Sequence, residues 1–401
     1  MSEDPEELPQ NVTVATRLST YLRGGGIITP LITVFVAFLA GGLVVLLTGH
    51  NPIATYRGIF NGTGLNWLFP WTSAEDREVA ALALQQTLIQ TTPLILTGLA
   101  VAFAFRCGLF NIGGQGQLII GSIFAVWIGS SFEGMNGFLH IVLAILGGIA
   151  GGALWGGIAG ALKAFAGTNE VISTIMLNWI AIWVGVWVFN LGSPLQNDDP
   201  ARVDVPVSND IVAGAKLPVF WGDPILQGLH IGIFIALAAV LVFWVILNRT
   251  TLGYEVRAVG FSPDAAAASG ISVKRNYIVV MAICGAFAGL AGTLDVLGWQ
   301  FRIATNDIQA NQLGFFGIAV ALLGRNTAIG TFFSALLFGG LITGTSVRNL
   351  DPTVFEPALA TNLTYMIQGL VVLLVSTDVL VVWLWRLRRR RRATPDTAVV
   401  A

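Results

Sequence analysis

Ten apolar stretches recur along this chain, near residues 28 to 49, 80 to 104, 108 to 130, 138 to 162, 171 to 191, 230 to 248, 277 to 298, 310 to 323, 327 to 346 and 362 to 384. Most approach the roughly 20 residues a helix needs to cross about 30 Å of hydrocarbon, the eighth being short. Inside a bilayer every backbone N–H and C=O must find its partner within the protein, so continuous apolar runs of this length are compatible with helices. The expectation is an all-α, polytopic membrane protein of about ten transmembrane helices. Composition points the same way: 55% of residues are hydrophobic and 11% charged, where a soluble domain carries about 25% charged. A 401-residue chain with a mean hydropathy of +0.76 therefore reads as one membrane domain, 28–385, between an N-terminal tail, 1–27, and a basic C-terminal tail, 386–401.

The basic residues set an orientation. With the N-terminus inside, the inner links and tails hold Arg17, Arg23, Arg106, Lys163, Arg249, Arg257, Lys274, Arg275, Arg325, Arg386 and Arg388 through Arg392, which is 15 of the 21 Lys and Arg. The outer links hold the other six: Arg57, Arg77, Arg202, Lys216, Arg302 and Arg348. Lys and Arg resist translocation while Asp and Glu count little, so the bias places both termini in the cytoplasm. The tail before Ile27 has acidic Glu3 to Glu7 and neither an apolar core nor a clear cleavage pattern, so the first span is expected to remain as an uncleaved anchor. Two long outer links, Asn51 to Val79 and Gly192 to Leu229, read as ordered or semi-ordered loops. Arg386 to Arg392, after Trp383 and Trp385, reads as an anchor at anionic membrane lipid and not as a nucleic-acid site.

The one substantial cytoplasmic link is 248–276. Within it Ser262 is able to cap a helix, Pro263 suits its first position, Asp264 favours its positive end and Gly270 stops it. A short helix is expected there. The alanines Ala265 to Ala268 leave a low surface that another protein's groove can approach closely, whereas a merely solvated linker helix would carry more Lys, Glu and Gln.

Asp264-Ala265-Ala266, three residues and then Gly270, resembles the coupling loop of ATP-binding-cassette importer permeases, with Asp where that loop has Glu. Thr251 to Gly260 and Gly285 to Gly292 resemble the branched-chain amino acid and ribose permease superfamily. Gly108-Leu-Phe-Asn-Ile-Gly-Gly-Gln-Gly-Gln117 and Asn169-Glu-Val-Ile-Ser-Thr-Ile-Met-Leu-Asn178 are similar to its branch that imports nucleosides or simple sugars with the help of a lipoprotein. The resemblance covers roughly residues 80 to 375. In that branch an acidic residue often stands where this chain has Gln115, although an amide still hydrogen-bonds a neutral ligand. The resemblance implies a multi-pass permease of a bacterial inner membrane that forms half of a pore with a second permease, as a heterodimer. An external solute-binding protein would deliver the solute, and an ATPase subunit would dock on Asp264, Ala265, Ala266 and Gly270. It implies no cofactor and no catalysis by this chain, which also lacks a GxxxxGK[ST] phosphate loop.

Candidate pathway residues follow from polarity inside apolar runs. Asn111, Gln115 and Gln117 are interrupted by Gly113, Gly114 and Gly116, a pattern that reads either as a broken helix lining the pore or as a close helix contact with amides bonding a neighbour. Gln90 and Thr92 precede Pro93 in the second span and are able to face the central route, whereas Gln85 and Gln86 read equally as interfacial. Asn178 lies deep in the fifth span. Asn311 and Gln312 open the eighth span and Asp295, Trp299 and Gln300 close the seventh, near the outer mouth. Trp179, Trp183 and Trp187 form one stripe, able to stack on a base but equally suited to lipid or helix packing. Glu170 reads as a solvated or capping residue. His50, His140 and His230 have no metal-ligand spacing and read as interfacial, and Cys107 and Cys284 as small buried hydrophobes. Ala100-Val101-Ala102 with Arg106 is echoed at the same offset by Ala319-Val320-Ala321 with Arg325.

Two other classes compete. An ion-coupled secondary carrier would need carboxylates or His across the membrane interior and leaves the coupling-like loop unexplained. A membrane enzyme would need convergent nucleophile, base or metal ligands, and none has recognisable spacing. Within the transporter class, branched-chain amino acids or another small solute are the alternative cargo.

Overall fold

The computed structural model describes residues 28–224, 228–346, 349 and 356–376. The tails 1–27 and 386–401, the end of the last apolar run and the Arg386 to Arg392 cluster lie outside them. Helices dominate. They are α1 (Ile28–Leu47), α2 (Pro52–Gly62), α3 (Ala74–Arg106), α4 (Gly114–Ser130), α5 (Gly137–Ala166) and α6 (Glu170–Phe189). After a long link come α7 (Gly232–Arg249), α8 (Thr251–Phe261), α9 (Pro263–Ala268), α10 (Val273–Asp295), α11 (Thr305–Ala310), α12 (Leu313–Leu323), α13 (Ala328–Gly344) and α14 (Pro357–Ser376). A small antiparallel pair, β1 (Val219–Trp221) and β2 (Leu229–His230), folds in the link before α7.

Among the described residues six helices are long and apolar enough to cross a membrane: α1, α3, α5, α6, α7 and α10. The other apolar segments make shorter helices, for reasons visible in their sequences. The run from 108 to 130 becomes helical only at Gly114, because Gly108, at φ +71°, ends α3, and Asn111 and Gly113 turn the chain before α4 begins. The run from 310 to 323 yields the 11-residue α12, about 16 Å long at 1.5 Å per residue. The link from Asn51 to Val79 is not a loop throughout, since Asn51 caps α2 by accepting from the Ile53 and Ala54 N–H groups and Pro52 opens it. The 248–276 link folds as two helices, α8 and α9, where one short helix was expected.

Contact between helices is set by small residues. Gly148, Gly152, Gly156 and Gly160 recur every fourth position on α5 and meet Gly285, Gly289, Met281 and Ile278 of α10 backbone to backbone. With lipid tails as apolar as any leucine, such close approach gains dispersion contact that larger side chains would prevent. Gly121 of α4 meets Gly289 as well, so α10 is the post around which α4 and α5 pack. The two echoed segments are also neighbours: Gly98 of α3 faces Val320 of α12, Gly317 faces Thr97, and Arg106 donates to the Asn326 carbonyl at 2.9 and 2.6 Å.

The ends of the bundle follow from these pairings. One end, hereafter the loop end, gathers the close of α3, α7 and α12, the start of α1 and α13, and helix α8. The opposite, far end gathers β2, the close of α10 and the long link, where His230 packs on Gly298. His140 and His230 are therefore buried and not interfacial, His140 Nε2 sitting 2.8 Å from the Ile128 carbonyl and His230 Nδ1 accepting from the Gly232 N–H. Cys107 and Cys284 are buried free thiols.

The glycine stripe makes a sharp contrast. A Cβ on Gly285 would fall within van der Waals radius of the Gly152 carbonyl, whereas one on Gly157 would meet only Ala282 at 3.9 Å. Gly285→Val is expected to destabilise the purified chain by roughly 1–3 kcal/mol, as overpacking does, and to lower its midpoint in a thermal unfolding scan. Gly157→Ala should leave that midpoint unchanged.

Candidate functional site

Residue type and depth together build a knot of amides at the middle of the bundle. Asn178 lies eight residues into α6, ~12 Å from that helix's start, and Thr97 beside Gly317 lies a similar height above Arg106, close to mid-depth of a bilayer. Segment 107–113 re-enters from the loop end to that depth and α4 starts there; α12 also starts there, running back toward the loop end. Two helix N-termini thus meet inside the bundle, that of α4 buried and that of α12 at the edge of a cleft, each with first N–H groups that have no partner in their own helix.

The amides answer that demand. Gln115 Nε2 donates to the Asn311 carbonyl at 2.8 Å, and its Oε1 accepts from the Gly314 N–H at 2.9 Å, clipping α4 to the start of α12. Asn178 Oδ1 accepts from the Gly116 N–H at 2.8 Å and its Nδ2 donates to the Ile112 carbonyl at 2.9 Å, tying both to α6. Asn111 and Gln117 exchange two amide hydrogen bonds of 3.0 and 3.1 Å. Asn111, Gln115, Gln117 and Asn178 are all buried. Thr92 is buried too, its hydroxyl returned to the Leu88 carbonyl one turn earlier. In this conformation Gln115 and Asn178 tie neighbouring segments together, Asn111 and Gln117 bond each other, and Thr92 bonds only within its own helix.

Gln90 and Asn311 are placed differently. Both line a cleft of about 480 Å³ toward the far end, together with Trp299, Gln300, Phe316 and Tyr365. Its back wall is a single π-helical turn, Val296–Gln300, that continues α10 and ends at Phe301, a non-glycine residue at φ +58°. Such turns re-aim side chains out of the regular helical register, and here they bring Trp299 and Gln300 to the cleft. Gln300 Nε2 donates to Asp295 at 2.6 Å. Phe316 and Tyr365 stack with ring centroids 6.1 Å apart. The floor is Asn311 itself, whose Oδ1 caps α12 by accepting from the Leu313 N–H and whose carbonyl holds Gln115. Amides, a phenol and aromatic faces line this volume together with the exposed charges of Arg302 and Asp307, and suit a polar solute with a flat ring and several hydroxyls.

At the loop end, α9 forms as its residues dictate: Ser262 Oγ accepts from the Ala265 N–H, Pro263 starts the helix and Gly270 ends it at φ +83°. Asp264, Ala265 and Gly270 face solvent, and Ala266 is buried beneath them. Beside them Phe261 is 95% exposed, a residue that motif reasoning passed over although an aromatic in a short polar link is itself a signal. A Cβ on Gly260 would strike the Arg106 carbonyl, so α8 is pressed directly on the start of the re-entrant segment. Glu170, opening α6, pairs with Lys163 at 2.7 Å. The tryptophan stripe of α6 points outward, Trp179, Trp183 and Trp187 being more than half exposed. No group of three or more His, Cys, Asp or Glu is arranged to hold a metal among the described residues.

Sequence comparison adds to this geometry. The family profile described as "Branched-chain amino acid transport system / permease component" matches residues 83–376. The guanosine ABC transporter permease protein NupP of Bacillus subtilis is 39% identical over 318 residues, which is 79% of this chain and 85% of that one. The nucleoside ABC transporter permease protein NupB of Lactococcus lactis is 38% identical over 79% of this chain and 83% of its own length. The glucose ABC transporter permease protein TsgB13 of Haloferax volcanii is 31% identical over 87% of each chain. No solved structure matches.

The amide knot and the cleft should separate under substitution. Asn178→Leu strands the Gly116 N–H and the Ile112 carbonyl, and is expected to cost roughly 1–3 kcal/mol, seen as a lower unfolding midpoint. Gln312→Ala, on an exposed side chain of the cleft, should stay within about 0.5 kcal/mol of the parent.

Proposed function

Because the chain belongs to the family of branched-chain amino acid transport permease components, we propose that it forms half of the translocation pathway of an ATP-binding-cassette importer for nucleosides. Separate ATPase subunits supply the energy, and a second, related permease supplies the other half. That B. subtilis has both a NupP and a NupQ guanosine permease protein among this chain's relatives supports a pair of unlike permeases. An external solute-binding lipoprotein hands the solute to the far end. The protein crosses a bacterial inner membrane about ten times, with both termini and the 248–276 link in the cytoplasm, in keeping with its 15 to 6 bias in basic residues. It is a transport subunit and not an enzyme.

The observation that carries the mechanism is the continuity between α9 and the cleft. The ATPase engages Asp264, Ala265, Ala266 and Gly270, with Phe261 beside them. Motion of α8 and α9 reaches Arg106 through the close contact at Gly260 and enters the re-entrant segment. From there Gln115 passes it to Asn311, the floor of the cleft. Because the knot is a set of discrete hydrogen bonds, it has definite bonded and unbonded arrangements, as a gate of two states requires. The amides that are buried here, Asn111, Gln115, Gln117 and Asn178, become pathway groups when the two half-helices part.

Cleft chemistry favours nucleosides over sugars, since Trp299, Phe316 and Tyr365 offer ring faces that a hexose uses less fully. The glucose permease among the relatives keeps a simple sugar as the second reading.

Two experiments test this. In vesicles holding the full transporter, Asp264→Lys and Gly270→Pro should abolish guanosine uptake and solute-stimulated ATP hydrolysis while membrane insertion is unchanged. Normal uptake by both variants, or uphill uptake by this chain alone on a salt or pH gradient, would overturn the reading. Tyr365→Ala should raise the KM for guanosine roughly tenfold, the scale of a lost base–aromatic stack; an equal or larger effect on hexose uptake would favour the sugar.

A further inference from the structure

The apolar run that becomes α14 carries one amide inside the packed protein. Gln368, in the sequence Tyr365-Met-Ile-Gln-Gly-Leu370, is 3% exposed. Neither its Oε1 nor its Nε2 has a hydrogen-bond partner, and among the described residues no other side chain has two buried polar atoms unpaired. Burial takes from such an amide its bonds to water and returns none. Leucine or methionine would fill similar space without stranding a polar group, so packing gives no reason for glutamine at this position. Two open bonding positions in a packed interior mark a group kept for a role other than packing.

Its neighbours along α14 connect it to the far-end cleft. Tyr365 lies three residues back, about 4.5 Å along the axis at 1.5 Å per residue, and side chains three apart are neighbours on a helix surface. Tyr365 lines the cleft, and its ring stacks on Phe316 of α12. Thr364, one turn back from Gln368, has its hydroxyl 2.7 Å from that of Thr345 at the close of α13, and Ile367 packs on Gly41 of α1. Gln368 thus sits one turn from the cleft on a helix fixed by α1 and α13 and faced by α12. Of these, α12 is the half-helix whose start is held by the bond from the Gly314 N–H to Gln115. Movement of α12 off α14 would part the Phe316–Tyr365 stack and extend the cleft along α14 toward Gln368.

Resting on the reading of this chain as a permease, we propose that Gln368 is a solute-binding residue of a second conformation, in which release of the Gln115 clip lets α12 move off α14 and the amide bonds the solute through both of its polar atoms. The chemistry it selects is a donor beside an acceptor, as on the edge of a nucleobase or between vicinal hydroxyls of a sugar. An amide meets an uncharged solute of either kind without placing a charge inside the bundle.

Uptake and stability together test it. In vesicles holding the full transporter, initial uptake of guanosine and of glucose is measured for the parent, Q368L and Q368N. Each variant is compared with the parent on the solute that the parent carries, so a wrong cargo fails separately from the role of Gln368. Q368L should raise the KM about tenfold, the scale of two lost hydrogen bonds, and leave solute-independent ATP hydrolysis unchanged. It should also raise the unfolding midpoint of the purified protein, because the stranded amide is gone, and Q368N should recover part of the affinity. If Q368L fails to fold, Q368M carries the same comparison. An unchanged KM overturns the proposal and leaves Gln368 as a packing residue. A raised KM with a lowered midpoint overturns it as well, by making the amide structural in this conformation. A readout that needs no solute is thiol labelling: Q368C in a C107A/C284A background should react with N-ethylmaleimide at least tenfold faster during ATP hydrolysis than without ATP. Equally slow labelling in both conditions rules out the second conformation.

Discussion

Backbone polar groups inside a helical bundle must find partners in the protein, and this protein places two helix beginnings in its interior. The start of α4 and the start of α12 each present N–H groups without a partner in their own helix, and a buried unmet donor is costly. Four amide side chains and the backbone around Asn311 resolve the conflict. Gln115 joins the two starts, Asn178 ties them to α6, and Asn111 with Gln117 closes the re-entrant turn on itself. The glycines of the same segment permit the approach: a Cβ on Gly314 would strike the Gln115 backbone and one on Gly116 would crowd Asn178. Without this knot neither half-helix could end where it does, and the cleft above would have no floor.

In the proposed mechanism the knot is the moving part. A continuous helix across the membrane resists change along its length, whereas a pair of half-helices joined by side-chain hydrogen bonds can exchange one bonding pattern for another. The link with α8 through Gly260 and Arg106 places α8 and α9 one step from the knot. The far-end cleft is one step beyond it, through Asn311. Rigid packing elsewhere, above all the glycine stripe between α5 and α10, gives such a motion something fixed to work against.

Much of the candidate site was legible before the structure, though by different routes. Ser262, Pro263, Asp264 and Gly270 each carry local information about a short capped helix, and α9 forms with the cap, first residue and stop those residues specify. The polar residues of 111–117 were legible as a break in a helix, because glycines between amides weaken helical structure wherever they fall. Which of the two readings applies in this conformation was not legible: closure of the amides on neighbours depends on Asn311 and Gly314, some two hundred residues away. Phe261, Trp299 and Tyr365 were passed over or left undecided because exposure, unlike residue type, has no local signature.

Hydropathy and local residue types, taken from the sequence alone, determined that this is a multi-span helical membrane protein and that a short capped helix forms at Pro263–Ala268. These follow from transfer free energies and capping preferences that belong to single residues and their near neighbours. Tertiary structure decided that two of the apolar runs are only partial helices meeting at mid-depth, that His140 and His230 are buried, and that the amides are spent on each other while aromatic residues from α10, α12 and α14 converge on the cleft. The physical reason is that hydrogen-bond satisfaction and small-residue packing in a bilayer are properties of pairs of segments, and the partner of each segment is chosen only when the helices assemble.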